Sequence, residues 1–198
     1  MNISFGNKIP ISSTQIYDKT KNAFVEATVY EIDCKDEEDL DYLSNDGIWA
    51  FKMPVMIAMH NKHSLMSRYD SLSDIEKICA DSDKFYSIET KDNVPRAYCE
   101  LTTYPNGFSD IKYVEADQQK KCKYAATTLI ATIVKQLAKQ EGSVLYVNDP
   151  ATNAQTYYSD VLKFDKNPDR GYNIKGNKMK NFVEAVERKT APIVDVIA

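Results

Sequence analysis

Apolar and polar residues alternate along several stretches of the chain, and this period of two predicts β-strands. The first such stretch is residues 24–33 (FVEATVYEID), which follows a polar lead-in over residues 1–20 where no period is sustained. Three further strands are predicted over residues 84–90, 96–104 and 110–116. A Pro-Asn-Gly sequence, typical of a tight turn, joins the last two strands and predicts a hairpin.

A period of 3.6 residues predicts one long helix from about residue 118 to residue 140, terminated by Gly142. Its apolar positions recur at i, i+3, i+4 and i+7, and they are Cys122, Ala126, Leu129, Ile130, Ile133, Val134 and Leu137. The pattern then predicts a short buried strand, a helix that starts at a proline, a polar turn, another strand and a last amphipathic helix. These elements cover residues 143–147, 150–162, 165–171, 172–174 and 177–189.

The signals between the first and second strands are weaker. An acidic stretch predicts a short helix near residues 36–45, and a second helix is predicted over residues 71–80. The Met-rich residues 48–66 receive no assignment because a proline interrupts them. Helices on an antiparallel-leaning sheet predict a single domain of the α/β (α+β) class over residues 21–198, with a C-terminal helical extension.

Composition and charge exclude several classes of protein. The 198 residues carry 25 basic and 29 acidic side chains, a net charge of −4, which is not typical of a nucleic-acid-binding surface. No long apolar run and no Sec leader are present, so we expect no membrane contact and a cytoplasmic location. The four cysteines form no C-x-x-C pair, and His60 and His63 have no third ligand nearby. We therefore expect free thiols and no metal site.

The junction between the strand over residues 110–116 and the long helix carries the clearest chemical signal. Lys120, Lys121 and Lys123 fall at or near the first turn of the predicted helix, where cations oppose the helix dipole. An anion bound to the exposed N–H groups would remove this conflict, since a helix N-terminus is a natural phosphate site. Solvated lysines offset by Glu115 and Asp117 are an equal alternative.

The order of elements and several local strings resemble the GCN5-related N-acetyltransferase (GNAT) family, over residues 24–164 and best after residue 84. That family opens its long helix with an Arg/Gln-x-x-Gly-x-Gly/Ala loop. The nearest register here is Lys120-x-x-Lys123-x-Ala125, and Leu129 and Ile130 match the Leu-Leu that usually follows. A second register, Gln119-x-x-Cys122-x-Tyr124, keeps the glutamine. Neither register has the first glycine, which lets the backbone approach a phosphate closely.

A second string of that family, Asn-x-x-Ala-x-x-x-Tyr followed by Gly-Phe, is matched only in part. The chain has Ala154-x-x-x-Tyr158 and then Phe164, with Ala151 at the asparagine position and Lys163 at the glycine position. The spacing from Tyr158 to Phe164 is one residue longer than in the family.

The resemblance implies an N-acetyltransferase that passes an acetyl group from acetyl-CoA to an amine. By position, Tyr158 would protonate the leaving thiolate and Asp110 would be the base, with Glu100 and Glu115 as rivals. Backbone amides at Val114 and Ala116 would hold the pantetheine arm, and Lys120, Lys121, Lys123 and Ala125 would hold the phosphates.

The sequence leaves the acceptor and the partners open. A small molecule or a protein could supply the amine, and a homodimer is an open assembly. Two other classes of function compete with the enzyme. One is a GNAT-shaped binding or interaction protein that has lost its cofactor site, which the missing glycines support. The other is a structural or phage/host-interaction protein whose layout is merely convergent.

Overall fold

The computed structural model of the chain describes residues 8–33, 83–104, 106–116, 121–148, 150–169 and 171–196. Several sequence predictions lie outside these residues: the helices near 36–45 and over 71–80, the Met-rich stretch 48–66 with its two histidines, and Lys120.

The described residues form one mixed sheet of ten strands. The strands are β1 (Ile9–Asp18), β2 (Ala23–Asp33), β3 (Asp83–Thr90), β4 (Pro95–Thr103), β5 (Phe108–Ala116), β6 (Cys122–Lys123), β7 (Val144–Val147), β8 (Asp165–Asn167), β9 (Gly171–Lys175) and β10 (Val194–Asp195). Their order across the sheet is β10-β1-β2-β3-β4-β5-β7-β9-β8, and β6 pairs with β1. The β5–β7 pair is parallel, whereas the other pairs are antiparallel.

Helices flank this sheet. They are α1 (Ala125–Leu137), α2 (Thr152–Thr156), which continues into a π-helical turn (Tyr157–Val161), and α3 (Asn177–Glu187). Helix α1 lies against β3, β4 and β5 and has α3 on its other side, so its central residues are buried all round. Leu129, Ile130 and Val134 are fully enclosed in the main core. The predicted fold class, a mostly antiparallel mixed sheet with helices, is confirmed. No helix of the described segments has the length and apolarity needed to cross a membrane.

Most strands predicted from alternation are confirmed, with ends that differ by one or two residues. The polar lead-in is the main correction, since its residues 9–18 form β1 and pair with β2 over their whole length. The inward-facing positions of β1 include Ser12 and Thr14 beside Ile16. Because two of these buried side chains are small and polar, the strand carries no apolar period that the sequence could reveal.

The start of the long helix is the second correction. Helix α1 begins at Ala125 rather than near residue 118, because Cys122 and Lys123 pair with Asp18 and Tyr17 of β1 as strand β6. Strand β8 forms where a polar turn was predicted, and β10 was not predicted at all. These three strands have two or three residues each, too few to show a period.

The helix predicted over residues 150–162 is also modified. Pro150 lies outside it, and after one turn of α2 the chain widens into the π-helical turn, where Leu162 N–H donates to Tyr157 O at 2.9 Å. Phe164 N–H donates to Tyr158 O at 3.0 Å. A π-helical turn accommodates one extra residue in a helix, which accounts for the long spacing between Tyr158 and Phe164.

Candidate active site

Strand β5 leaves its parallel neighbour half-way along its length. Residues 108–111 of β5 pair with residues 144–147 of β7. Strand β5 then continues to Ala116, whereas the segment after β7 turns away into α2. Among the described strands, none pairs with residues 112–116 on that side. Along residues 112–116, this edge of β5 is therefore not covered by another described strand, and a ligand could lie beside it.

A β-bulge marks the place where the two strands part. Glu100 of β4 pairs with Tyr113 and Leu101 pairs with Ile111, so that Lys112 is the extra residue. The bulge reverses the alternation of side chains along β5, and as a result Ile111 and Val114 both contact the main core. Bulges of this kind re-aim a strand next to binding sites.

The widening gap between β5 and α2 is a cavity of about 320 Å³, called here the β5–α1 cavity. Three elements line it: the consecutive residues 114–116 of β5, the segment from Cys122 to Thr127 that enters α1, and three residues of α2 and its π-helical turn, Ala154, Tyr157 and Tyr158. Because three consecutive strand residues line it, the cavity meets the edge of β5 as well as its side chains.

The start of α1 faces this cavity without a capping side chain. Tyr124 is the N-cap residue, with a left-handed backbone (φ 69°), and its side chain makes no capping hydrogen bond. The first turn has no acidic residue. The N–H groups of the first turn and the positive end of the helix dipole therefore favour an anion or a carbonyl oxygen there.

Two tyrosines form the opposite wall. Tyr157 and Thr127 share a hydrogen bond of 2.9 Å between their hydroxyls, which ties the π-helical turn to the first turn of α1. The Tyr158 ring stacks on Tyr172 and contacts Phe164, with centroids 6.0 and 6.2 Å away, and the residue is only 4% exposed. Tyr158 thus contributes both to the core and to the cavity wall.

Burial keeps both tyrosines protonated. It raises the pKa of Tyr157 to about 12, although the hydrogen bond with Thr127 acts in the opposite direction. Burial also raises the pKa of Tyr158 well above its ordinary value, and the neighbouring Cys99 and Tyr157 add to this shift. A hydroxyl that stays neutral at physiological pH can donate a proton or a hydrogen bond within the cavity.

The structure brings some of the predicted site residues to the β5–α1 cavity and leaves others outside it. Val114, Ala116, Ala125 and Tyr158 all line the β5–α1 cavity, together with Glu115, one of the rival bases. Lys121 and Lys123 do not line it, and neither lies in the first turn of α1. Both are exposed, and the Lys123 ammonium lies 5.4 Å from the centroid of the Tyr17 ring.

Asp110 lies at a different cavity. It borders a polar cavity of about 490 Å³ beside the β4–β5 turn, called here the hairpin cavity, with Tyr104, Lys112 and Tyr146. Asp110 is 5% exposed, and its Oδ2 lies 3.5 Å from Lys112 Nζ. Oδ1 is enclosed and has no hydrogen-bond partner among the described residues. The structure does not bring this carboxylate together with Tyr158.

Sequence reasoning missed Tyr157 and Thr127, which link the two sides of the β5–α1 cavity. No motif marks these residues, because their contact joins positions 30 residues apart. Another cavity, of about 730 Å³, lies near the C-terminal end of α1 beside the Glu31–Lys84 ion pair. It contains no residue for which the sequence predicted a role.

Solved structures that are similar to this chain include acetyltransferases. One, from Desulfovibrio desulfuricans and provisionally named an acetyltransferase of the GNAT family, is 11% identical, with a TM-score of 0.49 over 75% of this chain and 98% of its own. The ribosomal-protein-S18-alanine N-acetyltransferase of Escherichia coli is 10% identical, with a TM-score of 0.43 over 74% and 88%. Tetrahymena GCN5 is 17% identical, with a TM-score of 0.40 over 70% and 83%.

The resemblance to the GNAT family is a resemblance of fold. No protein-family model and no curated protein matches the sequence. Because the identities are below 20% and the TM-scores below 0.5, an activity has to be inferred from the residues of this chain.

Proposed function

We propose that the chain is an N-acetyltransferase that transfers the acetyl group of acetyl-CoA to an amine. One observation carries this proposal: the β5–α1 cavity joins a strand edge that no other described strand covers, an uncapped helix start and two buried, protonated tyrosines. These are the groups that an acyl thioester requires, namely donors for its carbonyl oxygen and a proton for the thiolate that leaves.

Each lining element has a role in this reaction. The backbone of residues 114–116 binds the pantetheine arm alongside the strand, and N–H groups there polarise the thioester carbonyl. As the amine nitrogen forms its bond to the acetyl carbon, the carbon–sulfur bond breaks and Tyr158 donates its proton to the sulfur. The phenolate then regains a proton from solvent.

The acceptor amine must lose a proton as it is acetylated. Glu115 lies on the cavity wall and is the carboxylate that we assign to this step, directly or through a water. Asp110 would need a path from the hairpin cavity, which shares no lining residue with the β5–α1 cavity.

A non-catalytic binding protein is the second candidate. It is favoured by the residues at two of the positions where the family has glycine: Tyr124 in one register of the loop, and Lys163 before Phe164. Both have left-handed backbones, with φ of 69° and 59°. Both positions therefore have a left-handed backbone without a glycine, and the Tyr124 side chain lines the β5–α1 cavity, where it leaves a ligand less space than a glycine would.

Calorimetric titration with acetyl-CoA separates the two candidates when it is combined with an assay of thiol release. The amines supplied are a diamine, an amino-terminal peptide and a lysine-containing peptide. We expect micromolar binding, about −8 kcal/mol, and release of free CoA with at least one amine. The absence of binding at millimolar acetyl-CoA would contradict the enzyme and support the binding protein.

A further inference from the structure

A second cavity adjoins the β5–α1 cavity. It has a volume of about 670 Å³ and lies between the start of α1, the end of the π-helical turn and the C-terminal helix α3, and we call it the α3 cavity. The two cavities share Tyr124 and Thr127 as lining residues, so they meet at the first turn of α1. A ligand longer than the smaller cavity can therefore extend into the larger one.

The floor of the α3 cavity is apolar. Leu162, Ile174 and Phe182 line it and are at least nine-tenths buried. Two large side chains on its border, Tyr124 and Val161, are 40% and 53% exposed. An apolar floor with an exposed aromatic ring on its border suits a flat ring system.

The charged groups around the α3 cavity are mostly basic. Lys163, Lys178 and Lys189 line it together with one acidic residue, Asp160. Lys178 is neutralised by Asp165, whose Oδ1 lies 2.5 Å from its Nζ. The ammonium groups of Lys163 and Lys189 make no ion pair with any described residue, and both side chains are exposed. The two lysines are therefore available to an anionic ligand.

The backbone conformation at Lys163 supports the interpretation that this lysine is available to a ligand in the α3 cavity. A left-handed conformation (φ 59°) is unfavourable for lysine by roughly 1 kcal/mol. It is maintained by the hydrogen bonds on either side, from Leu162 N–H to Tyr157 O and from Phe164 N–H to Tyr158 O. The same turn that places Tyr157 and Tyr158 in one cavity wall thus places Lys163 on the border of the other.

We infer that the α3 cavity binds the phosphorylated adenosine end of the coenzyme A thioester, with Lys163 and Lys189 as its phosphate contacts. This inference rests on the proposed acetyltransferase function. The β5–α1 cavity, at about 320 Å³, is at the lower limit for a ligand site and accommodates the acyl-pantetheine end only. The loop before α1 has no glycine in its sequence, and its described lysines, Lys121 and Lys123, do not line the β5–α1 cavity. In this inference the phosphates are held by the π-helical turn and by α3.

The test compares two double variants of equal charge change by calorimetry. Lys163→Ala with Lys189→Ala removes the proposed contacts, whereas Lys166→Ala with Lys180→Ala removes two exposed lysines that do not line the α3 cavity. The ligands are acetyl-CoA, adenosine 3′,5′-bisphosphate and acetyl-pantetheine, which has no nucleotide. We expect the first variant to bind acetyl-CoA and the bisphosphate at least about tenfold more weakly than the parent. We expect the control to change by less than about twofold, and acetyl-pantetheine to bind the parent and both variants equally.

The outcomes distinguish this inference from the proposed function. Equal acetyl-CoA affinity in the parent and in the Lys163/Lys189 variant would overturn the inference while leaving the acetyltransferase intact. Lysine-dependent binding of the bisphosphate without acetyl transfer to any amine would support the cavity assignment and reject the enzyme. If the parent bound neither the bisphosphate nor acetyl-CoA at millimolar concentration, both would be rejected.

Discussion

Strand β5 borders one cavity at each end, and the two cavities differ in the groups that they offer a ligand. The β5–α1 cavity presents a strand edge that no other described strand covers, an uncapped helix start and neutral tyrosines. The hairpin cavity presents side chains that already interact with one another. Lys112 Nζ lies 3.3 Å from Tyr104 Oη and 3.5 Å from Asp110 Oδ2.

Electrostatics reinforces this difference. Burial lowers the pKa of Lys112, but the Tyr104 hydroxyl and the Asp110 carboxylate outweigh burial, so the pKa is raised and the ammonium stays charged. In the β5–α1 cavity, by contrast, burial acts on groups with no ionic partner and keeps them as acids. The comparison shows that the two ends of β5 border different chemistry, because the fold supplies different neighbours at each end.

Filling the β5–α1 cavity should have the largest effect. Ala154→Trp places a large ring among the lining residues, so we expect acetyl-CoA binding and acetyl transfer to become undetectable. Ala138→Trp, at the exposed C-terminal end of α1, is the matched control and should behave as the parent. Calorimetry measures the binding and thermal unfolding verifies that both variants fold. A folded Ala154→Trp variant with normal affinity would remove the cavity from the mechanism.

Removing the Tyr158 hydroxyl should have the next largest effect. Tyr158→Phe retains the ring packing against Tyr172 and Phe164, so we expect an unchanged Tm and unchanged acetyl-CoA affinity with a kcat at least about 100-fold lower. Tyr157→Phe is the comparison variant, because it removes only the hydrogen bond to Thr127.

The pH dependence of the parent tests the same assignment. Because burial raises the pKa of Tyr158 above the ordinary value near 10, its neutral form persists through the alkaline range. We expect kcat to show no decline between pH 8 and 10 at saturating substrate. A decline in that range that is absent from Tyr158→Phe would mean that the hydroxyl ionises normally.

The smallest effect is expected at the hairpin cavity. Asp110→Asn should change kcat/KM by less than about twofold, because the carboxylate lies outside the cavity that contains Tyr158. Glu115→Gln is the matched variant, and it should lower kcat/KM about 100-fold as the loss of a base does. A large loss with Asp110→Asn and none with Glu115→Gln would reverse the assignment of the two carboxylates.

The sequence predicted the candidate site in part. The resemblance to the GNAT family predicted site roles for four residues that the fold brings to one cavity, namely Val114, Ala116, Ala125 and Tyr158. The phosphate role of Lys120, Lys121 and Lys123 depended on a long helix that starts near residue 118, and this predicted start was wrong. Strand β6 forms by pairing with β1, which lies more than 100 residues earlier in the chain, and no local pattern reports such a contact.

The sequence by itself determined the strands β2 to β5 and the body of α1. Apolar residues recur in these elements with the period of a strand or of a helix, because those side chains pack into the core. It also determined the mixed sheet with helices, since the order of those elements leaves few arrangements. Only the tertiary structure decided which polar groups share a cavity. Three features of the backbone bring these groups together: the separation of β5 from β7, the bulge at Lys112 and the π-helical turn at Tyr157. They depend on pairing and packing between distant segments, and so hydropathy along the chain does not report them.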